Sequence, residues 1–322
     1  QKLNLLDVMG NFIIVNLKTH YMITFEKIGN LGRLANQMFQ YSLLYAVAKH
    51  NNYDFALPEE NLKNIVDSGF NPVINKRESM HLYLPECFNI TAKFLPKSKI
   101  NFNKTYNQDR NYAKYNPEVF KISDNTNIKG YFQSYKYFDN IKKDIKQEFT
   151  FKKSIEDITI NYFNDLKKQF NVNTITGVHV RHGDVKNEKG ARLVLLNKEY
   201  YLKSMTKFKS SDNLFIIFSD DVEWCKKNLN SSDIIYSKYS TYEEMTPKAE
   251  YIDLCCMTHC DNLIIACSSF SWWGAYLNKK EGKIIVSDKW WGPQYADREE
   301  KDIRPPQWIQ QKAESNFKLV NK

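Results

Sequence analysis

The 322-residue sequence contains no run of about 20 apolar residues, the length that a membrane-spanning helix needs. The apolar stretch at residues 12–15 is too short for the core of a signal peptide, and the residues before it are not distinctly basic. We therefore expect no membrane-spanning helix. Residues 1–21 fit an extra strand, a disordered lead segment or the product of a misassigned start.

The six cysteines lack the spacing of a zinc ribbon. Four of the six cysteines lie between residues 255 and 267, without the paired CxxC arrangement that such a site needs. A chain of this length does not need a disulfide framework either. The sequence predicts buried, reduced thiols, which favour a reducing compartment.

The chain carries 46 Lys and Arg against 37 Asp and Glu, a formal charge of +9. This excess permits an anionic partner such as a nucleic acid, a membrane surface or a phosphorylated small molecule. The basic residues are scattered, however, and their densest groups have acidic neighbours. No nucleic-acid-binding motif is present, so we expect no nucleic-acid partner.

A chain of 322 residues is longer than a domain with a single hydrophobic core usually is, so the length favours two domains. A short strand around Ile23 runs into a turn rich in Gly and Asn at 29–36, followed by a helix over about 37–49 and a strand at 53–57. This strand–loop–helix–strand unit is typical of a parallel α/β sheet. Residues 59–130 are less regular and are assigned to the same domain.

The second half alternates between strands and helices. The predicted strands are 174–180, 214–219, 233–236, 262–266 and, as the last, 283–286. The predicted helices are 137–148, 155–169, 198–207, 221–229, 246–260 and 270–277. Repeated βα units favour a doubly wound sheet with ligands at the carboxyl ends of its strands. The expected units are 1–150, 151–290 and a segment 291–322 that packs back on the first domain.

The first candidate site is His-Val-Arg-His-Gly-Asp at residues 179–184, directly after a predicted strand. Arg181 offers a planar bidentate fork to a phosphate, Gly183 lets a backbone approach, and Asp184 can orient the arginine. A buried Arg–Asp pair that supports the turn explains the same residues, and local chemistry does not separate the two interpretations.

The second candidate site is the acidic pair Asp220 and Asp221 after the next strand. Two adjacent acids can bind a divalent metal, a ribose or the N-terminus of a helix. The competing interpretation makes Asp221 the N-cap of the following helix.

The third candidate site follows the strand at 262–266, where Ser268 and Ser269 open a helix. Their hydroxyls and the N–H groups at the helix start can bind an anion. Alternatively the serines only cap the helix, and Trp272 and Trp273 are core packing.

Together these segments resemble the α-1,2-fucosyltransferase family, glycosyltransferase family 11. The resemblance covers about residues 22–290 and rests on five segments. They are GRLANQMFQY at 32–41, GYFQS at 130–134 with KYF at 136–138, HVRHGD at 179–184, SDD at 219–221 and the long motif from Asp253 through FSWWGAYL at 270–277. The last segment is highly specific.

The resemblance implies a GT-B-like α/β fold, with two Rossmann-like domains facing a central cleft. The acceptor domain is N-terminal and the donor domain C-terminal. It implies an inverting, metal-independent transfer of fucose from GDP-β-L-fucose to a hydroxyl of an oligosaccharide or glycoconjugate, with O2 of a terminal galactose the expected target. The donor is a substrate, and neither a cofactor nor a metal is implied.

The resemblance also assigns roles to residues. Arg181 is expected to meet the charge on the departing diphosphate. The implied donor-binding set is Arg181, His182, Asp221, Asp253, Ser268, Ser269 and Phe270. Asn36 is a candidate for positioning the attacking hydroxyl or the sugar. The general base stays open between His179, Asp184 and Asp221.

Two residues depart from the family pattern. His182 stands where the family usually shows a second Arg, so pyrophosphate binding is weakened unless a protonated His182 replaces that cation. Ala35 stands where the family usually shows Gly, which is tolerable if this residue keeps a negative φ.

These departures keep other functions open. One alternative is a glycan- or nucleotide-binding protein with weak or no transfer activity, and another is a transferase for a different GDP- or UDP-sugar. The acceptor is not specified, because residues 59–130 and 291–322 would shape its pocket. The lack of an anchor or signal predicts a cytoplasmic enzyme with scope for peripheral membrane association.

Overall fold

The computed structural model describes residues 22–62, 81–183, 192–241, 248–280 and 282–315, together with the pairs 7–8 and 11–12. Two parallel β-sheets dominate these residues, one in each half of the chain. Helices connect most of the strands. This arrangement confirms the predicted α/β class with two Rossmann-like halves.

The N-terminal half contains a five-stranded parallel sheet. Its strands, preceded by a short pair, are β1 (Asp7–Val8), β2 (Asn11–Phe12), β3 (Met22–Thr24), β4 (Asp54–Pro58), β5 (Lys93–Leu95), β6 (Lys104–Asn107) and β7 (Thr126–Lys129). β1 and β2 pair with each other in antiparallel fashion. The other five follow the spatial order β5-β4-β3-β7-β6.

The C-terminal half contains a six-stranded parallel sheet. Its strands are β8 (Thr174–Val180), β9 (Asn213–Ser219), β10 (Ile234–Tyr236), β11 (Asn262–Ile264), β12 (Ile284–Ser287) and β13 (Ile309–Gln311). They follow the order β10-β9-β8-β11-β12-β13. Every residue of β9 is buried, as expected for a central parallel strand that is covered on both faces.

Eight α-helices accompany the sheets in the described ranges. They are α1 (Leu34–Asn51), α2 (Leu84–Cys87), α3 (Lys142–Glu148), α4 (Lys153–Phe170), α5 (Lys198–Met205), α6 (Val222–Asn228), α7 (Ala249–His259) and α8 (Ser269–Tyr276). α1 is buried on most of its surface because it contacts β3, β4 and α8. None of the helices in the described ranges combines the length and apolar character needed to cross a bilayer.

The sequence prediction missed the short strands. β5, β6 and β7 lie in the region treated as irregular, because each has only three or four residues and β6 (KTYN) lacks apolar alternation. The strand predicted at 283–286 is present as β12, but it is not the last strand, because β13 follows it. Of the helix predicted at 137–148, only α3 is α-helical, and 3₁₀ turns precede it.

The two halves meet through an aromatic cluster. Trp272 and Trp273 of α8 are fully buried. The ring centroid of Phe39, on α1, lies 4.6 Å from Trp272 and 5.0 Å from Trp273. Phe138 stacks on Trp273 at 5.5 Å. The interpretation of the two tryptophans as packing residues is therefore confirmed, and they pack between the halves.

The segment after residue 290 contacts both halves. β13 pairs in parallel with β12 of the C-terminal sheet. The buried carboxylate of Asp302 accepts a hydrogen bond from the Tyr115 N–H at 2.9 Å and lies 2.7 Å from the Lys136 ammonium. The Trp272 indole donates to the carbonyl of Ile303 at 2.6 Å. The contacts of Asp302 join the segment to the N-terminal half, and the pairing of β13 and the bond from Trp272 join it to the C-terminal half.

All six cysteines are buried and none forms a disulfide, as the sequence predicts.

The aromatic cluster predicts a large stability loss on truncation of Phe39, which is fully buried. We expect Phe39→Ala to lower the free energy of unfolding by about 3–5 kcal/mol, because it leaves a cavity against both tryptophans. Phe102, which is 38% exposed, provides the control, and Phe102→Ala should change stability by less than about 0.5 kcal/mol. Equal losses in denaturant titrations would contradict this packing.

Candidate functional site

Three neighbouring strands bring the candidate segments to one edge of the C-terminal sheet. β8 lies between β9 and β11, and its residue Val180 pairs with Ser219 while Val178 pairs with Ile264. The chain leaves these strands at 181–183, at 220–221 and at 265–270. Parallel strands end at the same edge, so the three segments lie together.

Arg181 forms an ion pair with Asp220. One guanidinium nitrogen lies 2.8 Å from Asp220 Oδ2, and both side chains are about a quarter exposed. The other carboxylate oxygen accepts the His182 N–H at 2.8 Å. A Cβ on Gly183 would lie 2.8 Å from Asp220 Oδ2, so glycine keeps room for this carboxylate.

Sequence reasoning missed this partner of Arg181. It assigned the orienting role to Asp184, which lies outside the described residues. The acidic pair after β9 was recognised, but only the pairing of β8 with β9 shows that Asp220 contacts the arginine.

His182 is packed into the turn after β8. Its ring is 5% exposed and lies 3.9 Å from the Trp224 ring, centroid to centroid. Its Nε2 lies 2.8 Å from the carbonyl oxygen of Leu196, an arrangement in which the ring donates the proton. The structure thus gives His182 contacts that fix the turn beside Arg181.

His179 is buried beside the start of α8. It is 5% exposed, and its ring centroid lies 5.8 Å from that of Phe270. Its Nδ1 has no hydrogen-bond partner among the described residues. Burial lowers the pKa of His179 to about 3, with Asp220 opposing the shift and Arg181 adding to it. The imidazole is therefore neutral near pH 7.

Asp221 is the N-cap of α6. Its carboxylate accepts the Trp224 N–H at 3.2 Å, and its own N–H donates to Ser219 Oγ at 2.9 Å. The N-cap interpretation of the sequence is confirmed.

Asp253 belongs to a buried chain of hydroxyls. Its carboxylate, on α7, accepts from Ser237 Oγ at 2.5 Å and from Ser240 Oγ at 2.7 Å. Ser240 Oγ in turn accepts the Ser219 N–H at 3.2 Å, which connects α7 to the end of β9. Burial raises the pKa of Asp253 to about 6, while the two hydroxyl bonds oppose the shift.

The two serines of that chain were not identified from the sequence. Ser237 and Ser240 follow directly after β10, another strand that ends at the same edge, and this position is the signal that could have found them.

The start of α8 presents a capped helix N-terminus to the site. Ser268 is the N-cap, and its hydroxyl accepts the Phe270 N–H at 3.3 Å. Ser269 and Phe270 are partly exposed. The capping interpretation is thus confirmed, and it is compatible with anion binding, because one side-chain cap leaves further N–H groups of the first turn unbonded within the helix.

On the N-terminal side, Asn36 connects two of the recognised segments. Its side-chain oxygen accepts from Gln133 Nε2 at 2.9 Å. Gly32 has a φ of +101°, and a Cβ there would collide with the Asn36 side chain. Ala35 lies inside α1, where φ is negative, so its departure from the family glycine carries no backbone strain.

No three His, Cys, Asp or Glu side chains of the described ranges converge at these strand ends in a way that would hold a metal ion. The Arg181 guanidinium and the start of α8 place positive charge there. Both groups can stabilise an anion.

Comparison with protein families resolves the assignment, because the profile of Glycosyl transferase family 11 matches residues 13–312. The chain belongs to glycosyltransferase family 11. An Escherichia coli member named α-1,2-colitosyltransferase is 29% identical over 80% of this chain and 88% of its own length. The O-antigen biosynthesis glycosyltransferase WbnK of E. coli is 27% identical over 80% of this chain and 92% of its own.

A mammalian relative is similar over a smaller part of its length. The galactoside 2-α-L-fucosyltransferase SEC1 of Bos taurus is 27% identical over 76% of this chain, and the match spans only 62% of the length of SEC1. Among solved structures, the α-1,6-fucosyltransferase NodZ soaked with GDP-fucose superposes with a TM-score of 0.52. It is 12% identical and covers 84% of this chain and 95% of its own. This likeness supports the GT-B-like fold.

The buried carboxyl of Asp253 predicts a pH dependence of stability in this family 11 chain. Its pKa of about 6 exceeds its ordinary value of 3.8, so folding favours the protonated form. The contribution of this group to the free energy of unfolding is fully present below about pH 4. It falls by about 3 kcal/mol as the pH rises from about 4 to about 6. Asp253→Asn removes the titrating group.

We therefore expect the free energy of unfolding of Asp253→Asn, relative to wild type, to rise between pH 4 and pH 6 and to level off above pH 7. Denaturant titrations across this range measure the difference. Asp165→Asn, at an exposed position of α4, corrects for the general effect of removing one carboxylate. A difference that stays flat from pH 4 to pH 7 would show that Asp253 does not titrate in this way.

Proposed function

We propose that this chain transfers fucose from GDP-β-L-fucose to a glycan hydroxyl and forms an α-1,2 linkage to a terminal galactose. Its membership of family 11 and its similarity to the bovine galactoside 2-α-L-fucosyltransferase support this activity. The GT-B-like fold, shared with a fucosyltransferase soaked with GDP-fucose, supports the donor. Attack from the face opposite to the departing GDP makes the transfer inverting.

The observation that carries the proposal is the position of Arg181 at the sheet edge where α8 begins. Asp220 holds the guanidinium at this edge by an ion pair of 2.8 Å, which fixes its orientation. In the proposed reaction, Arg181 meets the negative charge that develops on the departing β-phosphate. The N–H groups and hydroxyls of Ser268, Ser269 and Phe270 act on the same diphosphate.

The remaining donor-side residues have supporting roles in the proposal. Asp253 and the two serines that bond to it are proposed to face the nucleoside of the donor and to form hydrogen bonds with it. His182 holds the turn against Trp224, so that Arg181 supplies the cationic charge. Asp221 fixes the start of α6 beside the donor.

Of the three candidates for the general base, we propose Asp184. A neutral His179 with a pKa of about 3 is a weak base near pH 7, so we assign it to hydrogen bonding with the donor through Nδ1. Asp221 is committed to capping α6. Asp184 remains the proposed general base. Asn36, held by Gln133, is proposed to orient the attacking hydroxyl.

The reaction in this proposal needs no metal ion, because Arg181 and the helix start provide the positive charge at the leaving group. We further propose that the enzyme works in the cytoplasm, on acceptors carried at a membrane surface. The formal charge of +9 supports attraction to an anionic surface.

The role of Arg181 predicts a defined kinetic defect. Arg181→Ala should lower kcat by roughly 10²–10³-fold, the loss expected for one preorganised donor to the transition state. Arg181→Lys should recover part of the rate, because lysine restores the positive charge but not the planar, bidentate hydrogen bonding of the guanidinium. The control is Lys226→Ala, at an exposed position of α6, which should transfer at the wild-type rate.

All rates are measured as fucose transfer in the presence of EDTA. Near-normal turnover of Arg181→Ala would remove this residue from the mechanism. A loss of wild-type transfer in EDTA that Mg²⁺ or Mn²⁺ reverses would assign metal-dependent chemistry instead.

A second donor is favoured by one relative, the α-1,2-colitosyltransferase at 29% identity. If the chain uses GDP-fucose, GDP should raise the melting temperature and UDP should not, because only a bound nucleotide stabilises the folded state.

Direct competition between GDP-fucose and GDP-colitose, with linkage analysis of the product, should give a fucosylated product with an α-1,2 bond. Preferential transfer of colitose, or nucleotide binding without transfer to any acceptor, would contradict the proposed activity.

A further inference from the structure

A second group of potential ligands lies between α4 and α7, outside the strand-end site. Glu156 stands in the first turn of α4. Cys255 and His259 stand one turn apart on α7, so both face the same neighbour. One carboxylate oxygen, one sulfur and one ring nitrogen all lie within 4.8 Å of one another.

Two contacts to the Glu156 carboxylate hold this group together. Cys255 Sγ lies 3.4 Å from Glu156 Oε2, and His259 Nε2 lies 2.9 Å from Glu156 Oε1. Bonds of about 2.0 Å to nitrogen and oxygen and about 2.3 Å to sulfur, in tetrahedral geometry, separate the ligand atoms by roughly 3.2–3.6 Å. The three ligand atoms, all within 4.8 Å of one another, must therefore draw together for one ion to bind all of them.

The positively charged side chain of Lys279 already contacts this cluster. The Lys279 ammonium makes a short hydrogen bond to Glu156 Oε1 and lies 3.1 Å from His259 Nε2. Its side chain is 44% exposed and attached after α8, so it can swing into solvent. The protein itself thus places a cation where carboxylate and imidazole meet.

We propose that Glu156, Cys255 and His259 form a binding site for a soft divalent cation, Zn²⁺ in the first instance, which displaces the Lys279 ammonium. A thiolate, an imidazole and a carboxylate are the ligands that Zn²⁺ takes in proteins. Cys255 gives up its proton to solvent when the sulfur binds the ion. The proposal is independent of the transferase activity.

The adjoining cavity is lined by Glu156 and Lys279 and is the proposed route to the cluster. A cavity of about 590 Å³ opens beside Glu156 and Lys279 and can supply a water molecule to the fourth position. Two further lysines line it, which oppose the approach of a cation. Lys153 is paired with Asp157, and Lys146 donates to the carbonyl of Asn278, so Lys279 is the competitor at the ligand atoms.

The ion would tie two helices that the fold already packs together. α4 and α7 are in direct contact, and α7 also carries Asp253 of the donor-side hydroxyl chain. A ligand that binds the folded state stabilises it by mass action, so bound Zn²⁺ should raise the melting temperature without entering the transfer reaction.

Competition with a chromophoric chelator and Co²⁺ spectroscopy test the site on the full chain. Wild type should bind one Zn²⁺, and Co²⁺ should give a near-ultraviolet sulfur-to-metal charge-transfer band that requires the Cys255 thiolate. Lys279→Met removes the competing ammonium and should tighten binding by about tenfold or more. Cys255→Ser should lose the band, and His259→Gln should weaken binding by about 10–100-fold.

Cys256→Ser is the matched control, because Cys256 is the adjacent buried thiol on α7 and its sulfur faces Thr159 at 3.9 Å. This variant should keep both the affinity and the band. Absence of the band in wild type and in Lys279→Met alike would overturn the proposal, as would a band that persists in Cys255→Ser. If Cys255→Ser does not fold, the affinity of Lys279→Met for Zn²⁺ still tests the proposal, because this variant keeps all three ligands.

Discussion

One short helix fixes the geometry on which the rest of the molecule depends. α8 buries Trp272 and Trp273 against Phe39 of α1 and against Phe138, so its body is held between the two halves of the chain. Its first turn, opened by Ser268, lies at the edge where β8 and β11 end. Packing that joins the halves therefore also sets the position of the helix start relative to Arg181, and this kind of preorganisation makes an electrostatic site effective.

The charged residues of the site contribute orientation rather than stability. Arg181 and Asp220 are each only about a quarter exposed, and the cost of removing such charges from water offsets much of their mutual attraction. Their value lies in the direction of the guanidinium, which Gly183 permits by leaving room for the carboxylate. Asp253 illustrates the opposite case, since its burial costs stability at neutral pH. A buried acid with a raised pKa is typical of a functional site.

The regular parts of the fold could be predicted from the sequence because their apolar patterns are long. β8 was predicted with its bounds, and α1 and α8 were predicted to within three residues, since each carries a continuous buried run or a helical period. The short strands β6 and β13 have no such pattern. Their place in a sheet comes from pairing with β7 and β12, and such long-range contacts leave no local signal.

The sequence by itself determined the family, the two α/β halves and the three segments that follow buried strands, because those features depend on residue types at short range. Only the tertiary structure decided that Asp220 is the partner of Arg181, that His182 packs on Trp224 and that two serines hold Asp253. Each of these contacts joins segments that follow or belong to different strands and helices. Which of several nearby polar groups meet is set by strand order and helix packing, and the local sequence carries no information on that choice.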